Sequence, residues 1–255
     1  MRKHHVKKQL KRLGLLASAL VFLFFMNSNA IGQGGGAGAL QFGAKMGVTS
    51  STLSNAHQNM LYSENKLGFV GGGFVSYQIL DFVGTSVELL YAQEGASHTN
   101  PSFFYYPDAL GSGETEKANT NLTMHNLEIP VLLNFYVPGF TGDTEPRFYV
   151  GGSFDIILKS IAKDQVYIYE ADAFLSNRQR EDVSEAIEWN NFGLIIGTGL
   201  NFNGGDIGMT LDVRYKIGMS NISNLATLNY QEYNYGYTDA FSTNCLMVMV
   251  GIALP

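Results

Sequence analysis

From Asp206 to Ser220 the chain reads DIGMTLDVRYKIGMS, and its polarity changes at every step. Ile207, Met209, Leu211, Val213, Tyr215, Ile217 and Met219 are apolar or aromatic, whereas Gly208, Thr210, Asp212, Arg214, Lys216 and Gly218 are small, polar or charged. Successive side chains leave opposite sides of a strand, so a period of two predicts a strand with one apolar and one polar face. Only two kinds of fold accept many such strands. In a soluble sandwich or barrel the apolar face is buried, and Asp212, Arg214 and Lys216 meet water. In a transmembrane barrel the apolar face meets lipid, and the same three charges fill the interior.

Eight segments read as strands: residues 40–48, 68–78, 83–94, 123–137, 147–158, 189–203, 206–219 and 243–254. Their connections alternate in length. Residues 49–67, 95–122, 159–188 and 220–242 are long links, whereas 79–82, 138–146 and the Gly204-Gly205 turn are short. That rhythm belongs to an up-and-down barrel with short periplasmic turns and long extracellular loops, both termini lying on the periplasmic side. The expected fold is therefore all-β: an eight-stranded antiparallel transmembrane barrel over 40–255.

The N-terminus supports export. Six basic residues (Arg2, Lys3, Lys7, Lys8, Lys11 and Arg12) precede an apolar run over 13–26, and Ser28-Asn29-Ala30 offers small residues for cleavage. The run is shorter than the ~20 residues a spanning helix needs, so residues 1–30 read as a secretory signal peptide. Residues 31–39 form a glycine-rich lead-in. Beyond the cleavage point ten basic residues face 22 acidic ones, a formal charge of −12. Such a field repels nucleic acid and anionic surfaces. Cys245 is the sole cysteine, which excludes an intramolecular disulfide.

The alternation extends to other segments and defines an expected interior. Leu127, Ile129, Val131, Leu133, Phe135 and Val137 would face lipid, leaving Glu128, Asn134 and Tyr136 inside. Phe148, Val150, Phe154, Ile156 and Leu158 would face out over Gly151, Ser153 and Asp155. In the last strand Leu246, Val248, Val250, Ile252 and Leu254 face out over Met247, Gly251 and Ala253. The second strand, GFVGGGFVSYQ, is too rich in glycine to assign its faces. With Lys45 and Glu88 added, the lumen would hold Lys45, Arg214 and Lys216 against Glu88, Glu128, Asp155 and Asp212. Side chains can fill a barrel of eight strands, so this nearly balanced set reads as a structural plug.

The segments FGAKMGVTSS (42–51), VELLYAQEGAS (87–97), NLEIPVLLNFY (126–136), RFYVGGSFDIIL (147–158), NFGLIIGTGLNF (191–202) and VRYKIGMSNIS (213–223) carry a resemblance. In order and spacing the chain resembles the PorT-like outer-membrane β-barrel proteins of Bacteroidetes-type bacteria, over nearly all of 40–255. The run Leu127-Glu128-Ile129-Pro130 and the Arg214-Tyr215 strand leading to Ser220-Asn221-Ile222 are its most specific parts. The ending Ala253-Leu254-Pro255 departs from the terminal aromatic residue of many such barrels. The resemblance implies outer-membrane lipid and the barrel insertion machinery as partners, with secretion-system or cell-surface proteins as further ones. It supplies no catalytic motif.

Motifs for chemistry are sparse. His57 and His98 fall in different long connections, and no zinc, EF-hand or phosphate-loop pattern occurs, so no metal or cofactor is expected. His125, placed by register on the outer wall near the extracellular rim, is the one candidate general base. It would serve a lipid-modifying hydrolase if a serine nucleophile lay beside it. Otherwise activity belongs to the loops. Phe103, Phe104, Tyr105 and Tyr106 in the second long link, and Tyr230, Tyr233, Tyr235 and Tyr237 in the fourth, are candidate contact aromatics. The favoured expectation is a non-enzymatic structural or interaction protein of the outer membrane. The hydrolase is the alternative from another class, and a soluble ligand-binding barrel is a third.

Overall fold

The computed structural model describes residues 37–55, 63–99, 114–137, 144–170, 173–184, 187–204, 207–222 and 241–254. They form nine strands: β1 (Leu40–Asn55), β2 (Ser63–Leu80), β3 (Val83–Thr99), β4 (Glu114–Tyr136), β5 (Thr144–Glu170), β6 (Ala173–Asp182), β7 (Asn190–Gly204), β8 (Ile207–Gly218) and β9 (Phe241–Leu254). Every pairing is antiparallel. The order runs β4-β3-β2-β1-β9-β8-β7-β5, and a β4–β5 pairing closes the ring. Eight strands thus make the barrel wall, and β6 adds only to the far half of β5. The expected signal peptide over 1–30, most of the lead-in, and all eight candidate loop aromatics lie outside the described residues.

Apolar and charged residues are distributed the wrong way round for a soluble protein. Met46, Val250, Ile196, Met209 and Phe148 are each more than half exposed, whereas Lys45, Glu88, Glu128, Asp155, Asp212, Arg214 and Lys216 are 0–4% exposed. Charged side chains are almost never fully buried unless paired, so water is not the solvent of the outer surface. The alternation of β8 explains how this is achieved. Its odd residues from Ile207 to Ile217 face out, while Thr210, Asp212, Arg214 and Lys216 are buried inside. β4 and β9 follow the same rule, with the outward sets that their sequence parity predicts.

β2 resolves the faces that glycine obscured. Val70, Phe74 and Ser76 are buried inside, and Leu67, Phe69 and Tyr77 face outward. A register shift between Asn65 and Val70 breaks the ladder to β3. Backbone groups freed there cannot stay unpaired. Thr49 Oγ1 donates to the Gln93 carbonyl (2.6 Å), and Ser51 Oγ both donates to the Gly95 carbonyl (3.0 Å) and accepts from its N–H (2.8 Å). Gly68 makes the crossing possible, because a Cβ there would meet the Gln93 carbonyl at 2.3 Å.

The third long link needs correcting. Residues 159–188 read as a loop, but β5 runs on to Glu170 and β6 returns along it, pairing Ile161 with Asp182 through Glu170 with Ala173. The run Val166-Tyr167-Ile168-Tyr169 is rich in strand formers, and its polar neighbours hid it. A bulge separates the two halves of β5. Asn126 pairs with Ile157 and His125 with Lys159, leaving Leu158 over. One extra residue reverses the parity, so Ile157 and Ser160 share the inner side, and Leu158 and Lys159 both face outward. The nine steps of ~3.4 Å make the β5–β6 pairing about 30 Å long, and the last five, from Gln165 to Glu170, run past the end of β3 at Thr99.

Candidate functional site: a filled and charged interior

The lumen is stacked in layers, and two of them are ionic. The layer nearer the short turns is built on Glu88 and Asp212, from β3 and β8. Arg214 grips Glu88 with both guanidinium nitrogens, Nη1 to Oε2 at 2.7 Å and Nη2 to Oε1 at 3.0 Å. Lys45 bridges the two carboxylates, 2.8 Å from Glu88 and 3.0 Å from Asp212. Arg147 reaches Asp212 at 2.6 Å and Asn134 Oδ1 at 3.1 Å, and Asn134 donates onward to Ser86. Both guanidinium groups lie 5.3 Å from the Tyr149 ring centroid, and Lys45 Nζ lies 4.6 Å from that of Phe74. Small neighbours make room for the rings: a Cβ on Gly197 would fall 2.5 Å from Tyr149, and one on Gly43 2.3 Å from Phe74.

The second ionic layer lies two residues further up β8. Lys216 is surrounded by Glu94 (2.6 Å), Asp155 (2.9 Å) and Glu128. Asn126 Nδ2 donates to Glu94 at 2.9 Å, and Asn191 Nδ2 to Asp155 at 3.3 Å. Among the described residues, Glu94, Glu128 and Asp155 are the one group spaced to hold a metal, their ligand atoms lying within 4.8 Å of one another. The Lys216 ammonium already stands within hydrogen-bond reach of all three. It does the work that a cation would do there.

Apolar layers separate and cap these networks. Val70, Leu90, Ala92, Cys245, Met247 and Met249 form one cluster, and Leu132, Tyr149 and Ile195 another. Toward the extracellular end Leu122, Met124, Ala162, Val183, Ile187, Ile222 and Phe241 close over the upper ionic layer. The side chains of Arg214 and Lys216 are 0% exposed, so neither opens to solvent from either end.

The structure thus brings all seven interior charges expected from the sequence into two networks. It also adds Arg147 and Glu94, which the sequence reading missed. The signal was present: Glu94 continues the inward parity of Glu88, Leu90 and Ala92, and Arg147 begins that of Tyr149 and Asp155. His125 lies on the outer wall. Its Nδ1 is 2.6 Å from the Tyr91 hydroxyl, which also accepts from Gln93 Nε2 at 3.1 Å. The register sets Gln93 and Lys159 beside it, and the hydroxyl within hydrogen-bond reach of its Nδ1 is the Tyr91 phenol.

The family model described as outer membrane protein beta-barrel domain matches residues 27–224. No curated protein matches the chain. Among solved structures, the chain is similar to neisserial surface protein A, at 9% identity and a TM-score of 0.40 over 84% of this chain and 96% of that one. It is also similar to Ail, the attachment invasion locus protein of Yersinia pestis, at 11% identity and 0.38 over 86% and 99%. A third is the outer membrane protease OmpT of Escherichia coli, at 8% identity and 0.34 over 84% and 96%.

Proposed function

Because the chain belongs to the outer membrane protein β-barrel domain family, and so resides in the outer membrane, we propose that it is a non-enzymatic, non-conducting barrel that presents its extracellular strands and loops to other proteins. The observation that carries this reading is the filled lumen: four cations and five carboxylates are locked in ion pairs between apolar layers, with no side chain of the ionic set more than 7% exposed. A conducting pore needs a continuous water-filled path, and here paired side chains occupy the lumen. The presenting surface is the sheet of β4, β5 and β6 that rises above the rim. Its outer strand β6 pairs with β5 alone among the described strands, and an edge strand offers backbone donors and acceptors for strand addition.

The finer resemblance to PorT-like proteins favours an accessory role in protein secretion, with insertion machinery and secretion-system or cell-surface proteins as partners. The alternative, a lipid-modifying hydrolase based on His125, has the Tyr91 phenol where it needs a nucleophile. Planar-bilayer recordings test the plug: no stable conductance step is expected, and reproducible porin-like steps would end the reading. Comparison of lipid A masses in cells with and without the protein tests the enzyme alternative, and an unchanged profile is the expected result.

A further inference from the structure

The outer wall changes character abruptly on one side. Over β3, β4 and β5 the outward rows, Thr85 and Gly152 apart, are apolar from Val83, Phe135 and Phe148 up to Tyr91, Leu127 and Ile156, the last of them 5% exposed. Those nine residues are about the length of a tilted membrane-crossing strand, and their ~27 Å rises about 20 Å through the lipid-facing band. The next rows are polar and cationic. Gln93, His125 and Lys159 share one row, Gly95, Thr123, Ile161 and Asp182 the next, and Glu64, Ser97, Asn121, Lys163 and Arg180 the third. Rows on one face are about 7 Å apart, so these groups lie at the level of lipid head groups.

Lys66 joins the patch from β2 by an unusual route. Its stem crosses β3 over Gly95, where a Cβ would meet the Lys66 Cδ at 3.4 Å. Gly95 has φ +145, in a region that side-chain-bearing residues rarely adopt. Beyond it the ammonium donates to the Leu122 carbonyl (2.9 Å) and to Thr123 Oγ1. An ammonium has three donors, so one remains for a ligand. The cations are close enough to act on one another: Lys159, Lys66 and Arg180 all act electrostatically on His125, and Lys163 on Lys66. Four cations face two described carboxylates. Asp182 is engaged by Ser184 and by Lys159 at 3.4 Å, and Glu64 lies three strands from Lys163.

A barrel whose exported chain is strongly acidic thus gathers four of its few cations on one outer face, directly above its lipid-facing band. We propose that Lys66, Lys163 and Arg180, flanked by Lys159, form a binding site for the phosphoryl head group of an outer-leaflet lipid, a phosphorylated glycolipid of the lipid A type. Charge complementarity supplies the attraction. Continuity with the apolar band selects a lipid over a free anion, because acyl chains would lie along Leu127 and the row of Tyr91 while the phosphate meets the cations. Arg180 can engage two phosphate oxygens at once, whereas the lysines act as point charges. This inference concerns the wall outside the barrel and stands apart from the plugged interior.

Native mass spectrometry of the intact barrel, released from mixed micelles containing diphosphorylated lipid A or its dephosphorylated form, tests the site. The wild-type barrel is expected to retain the phosphorylated lipid at least tenfold better. The triple variant Lys66→Gln, Lys163→Gln, Arg180→Gln should lose that preference, while Lys66→Arg with Arg180→Lys should keep it. Unchanged heat-modifiability of each variant on a denaturing gel reports that the barrel is intact. Equal retention of both lipids, or a preference that survives the triple variant, would overturn the proposal. So would competition by millimolar inorganic phosphate alone, which would mark a small-anion site without lipid selectivity.

Discussion

Replacing Arg214 by leucine tests how the interior is held together. The guanidinium makes two charge-assisted hydrogen bonds to Glu88, at 2.7 and 3.0 Å, with both side chains at most 1% exposed. Such bonds contribute about 1.5–3 kcal/mol each, and removing one partner of a buried pair costs about 3–5 kcal/mol because the other charge is stranded. Glu88 would keep one partner, Lys45 at 2.8 Å, which it shares with Asp212. That places the expected loss near the lower end, about 3 kcal/mol. Reversible urea unfolding of the barrel in lipid vesicles reads it directly. Adding Glu88→Gln to the variant should restore more than half of the loss, since the stranded charge is then gone. A loss under about 1 kcal/mol, or a double variant no more stable than the single one, would refute the reasoning.

Val213 lies next to Arg214 but faces outward, 39% exposed. Val213→Arg should therefore cost about 2–4 kcal/mol in the same assay near the bilayer midplane, and a neutral effect would contradict a lipid-facing position. Cys245 is buried inside the lumen. A membrane-permeant maleimide should leave the folded barrel unmodified and label the urea-unfolded chain, and equal labelling of both would show that the interior is open. Asp182 lies in the polar rows above the lipid-facing band, where the Ser184 hydroxyl donates to it at 2.5 Å and Lys159 adds a weaker contact. These hold its carboxyl below the ordinary aspartate value. With the folded value depressed, the interaction is present above the unfolded value and is lost as pH falls through the folded one. Ser184→Ala should raise the Asp182 titration midpoint seen by carbon NMR, and an unmoved midpoint would refute the assigned cause.

Parity made most of the wall and its lining readable. Each strand that alternates strictly, such as β8 or β9, announces both of its faces, and the lumenal charges follow from counting in twos. The reading failed where that count is interrupted. The bulge at Leu158 reverses the faces of β5 midway, and nothing in the run Ile156-Ile157-Leu158 marks the extra residue. The glycines of β2 carry no side chain to show which way they point, so its faces emerge only from its neighbours. The division into two networks was equally hidden. It depends on which strands lie opposite each other across the lumen, as with Lys216 and Glu94, and that is a property of the closed ring. Lys66 was overlooked because its destination lies two strands away, across the one glycine that lets it pass.

The central claim is that odd residues of β8 face lipid and even ones face the lumen. Single cysteines placed across 207–217 in a Cys245→Ser background, each carrying a spin or fluorescent label, test it directly with a lipid-confined quencher. Labels at 207, 209, 211, 213, 215 and 217 should be quenched, and those at 208, 210, 212, 214 and 216 should be spared. Quenching with the opposite parity, or with none, would contradict the barrel's assignment of inside and outside.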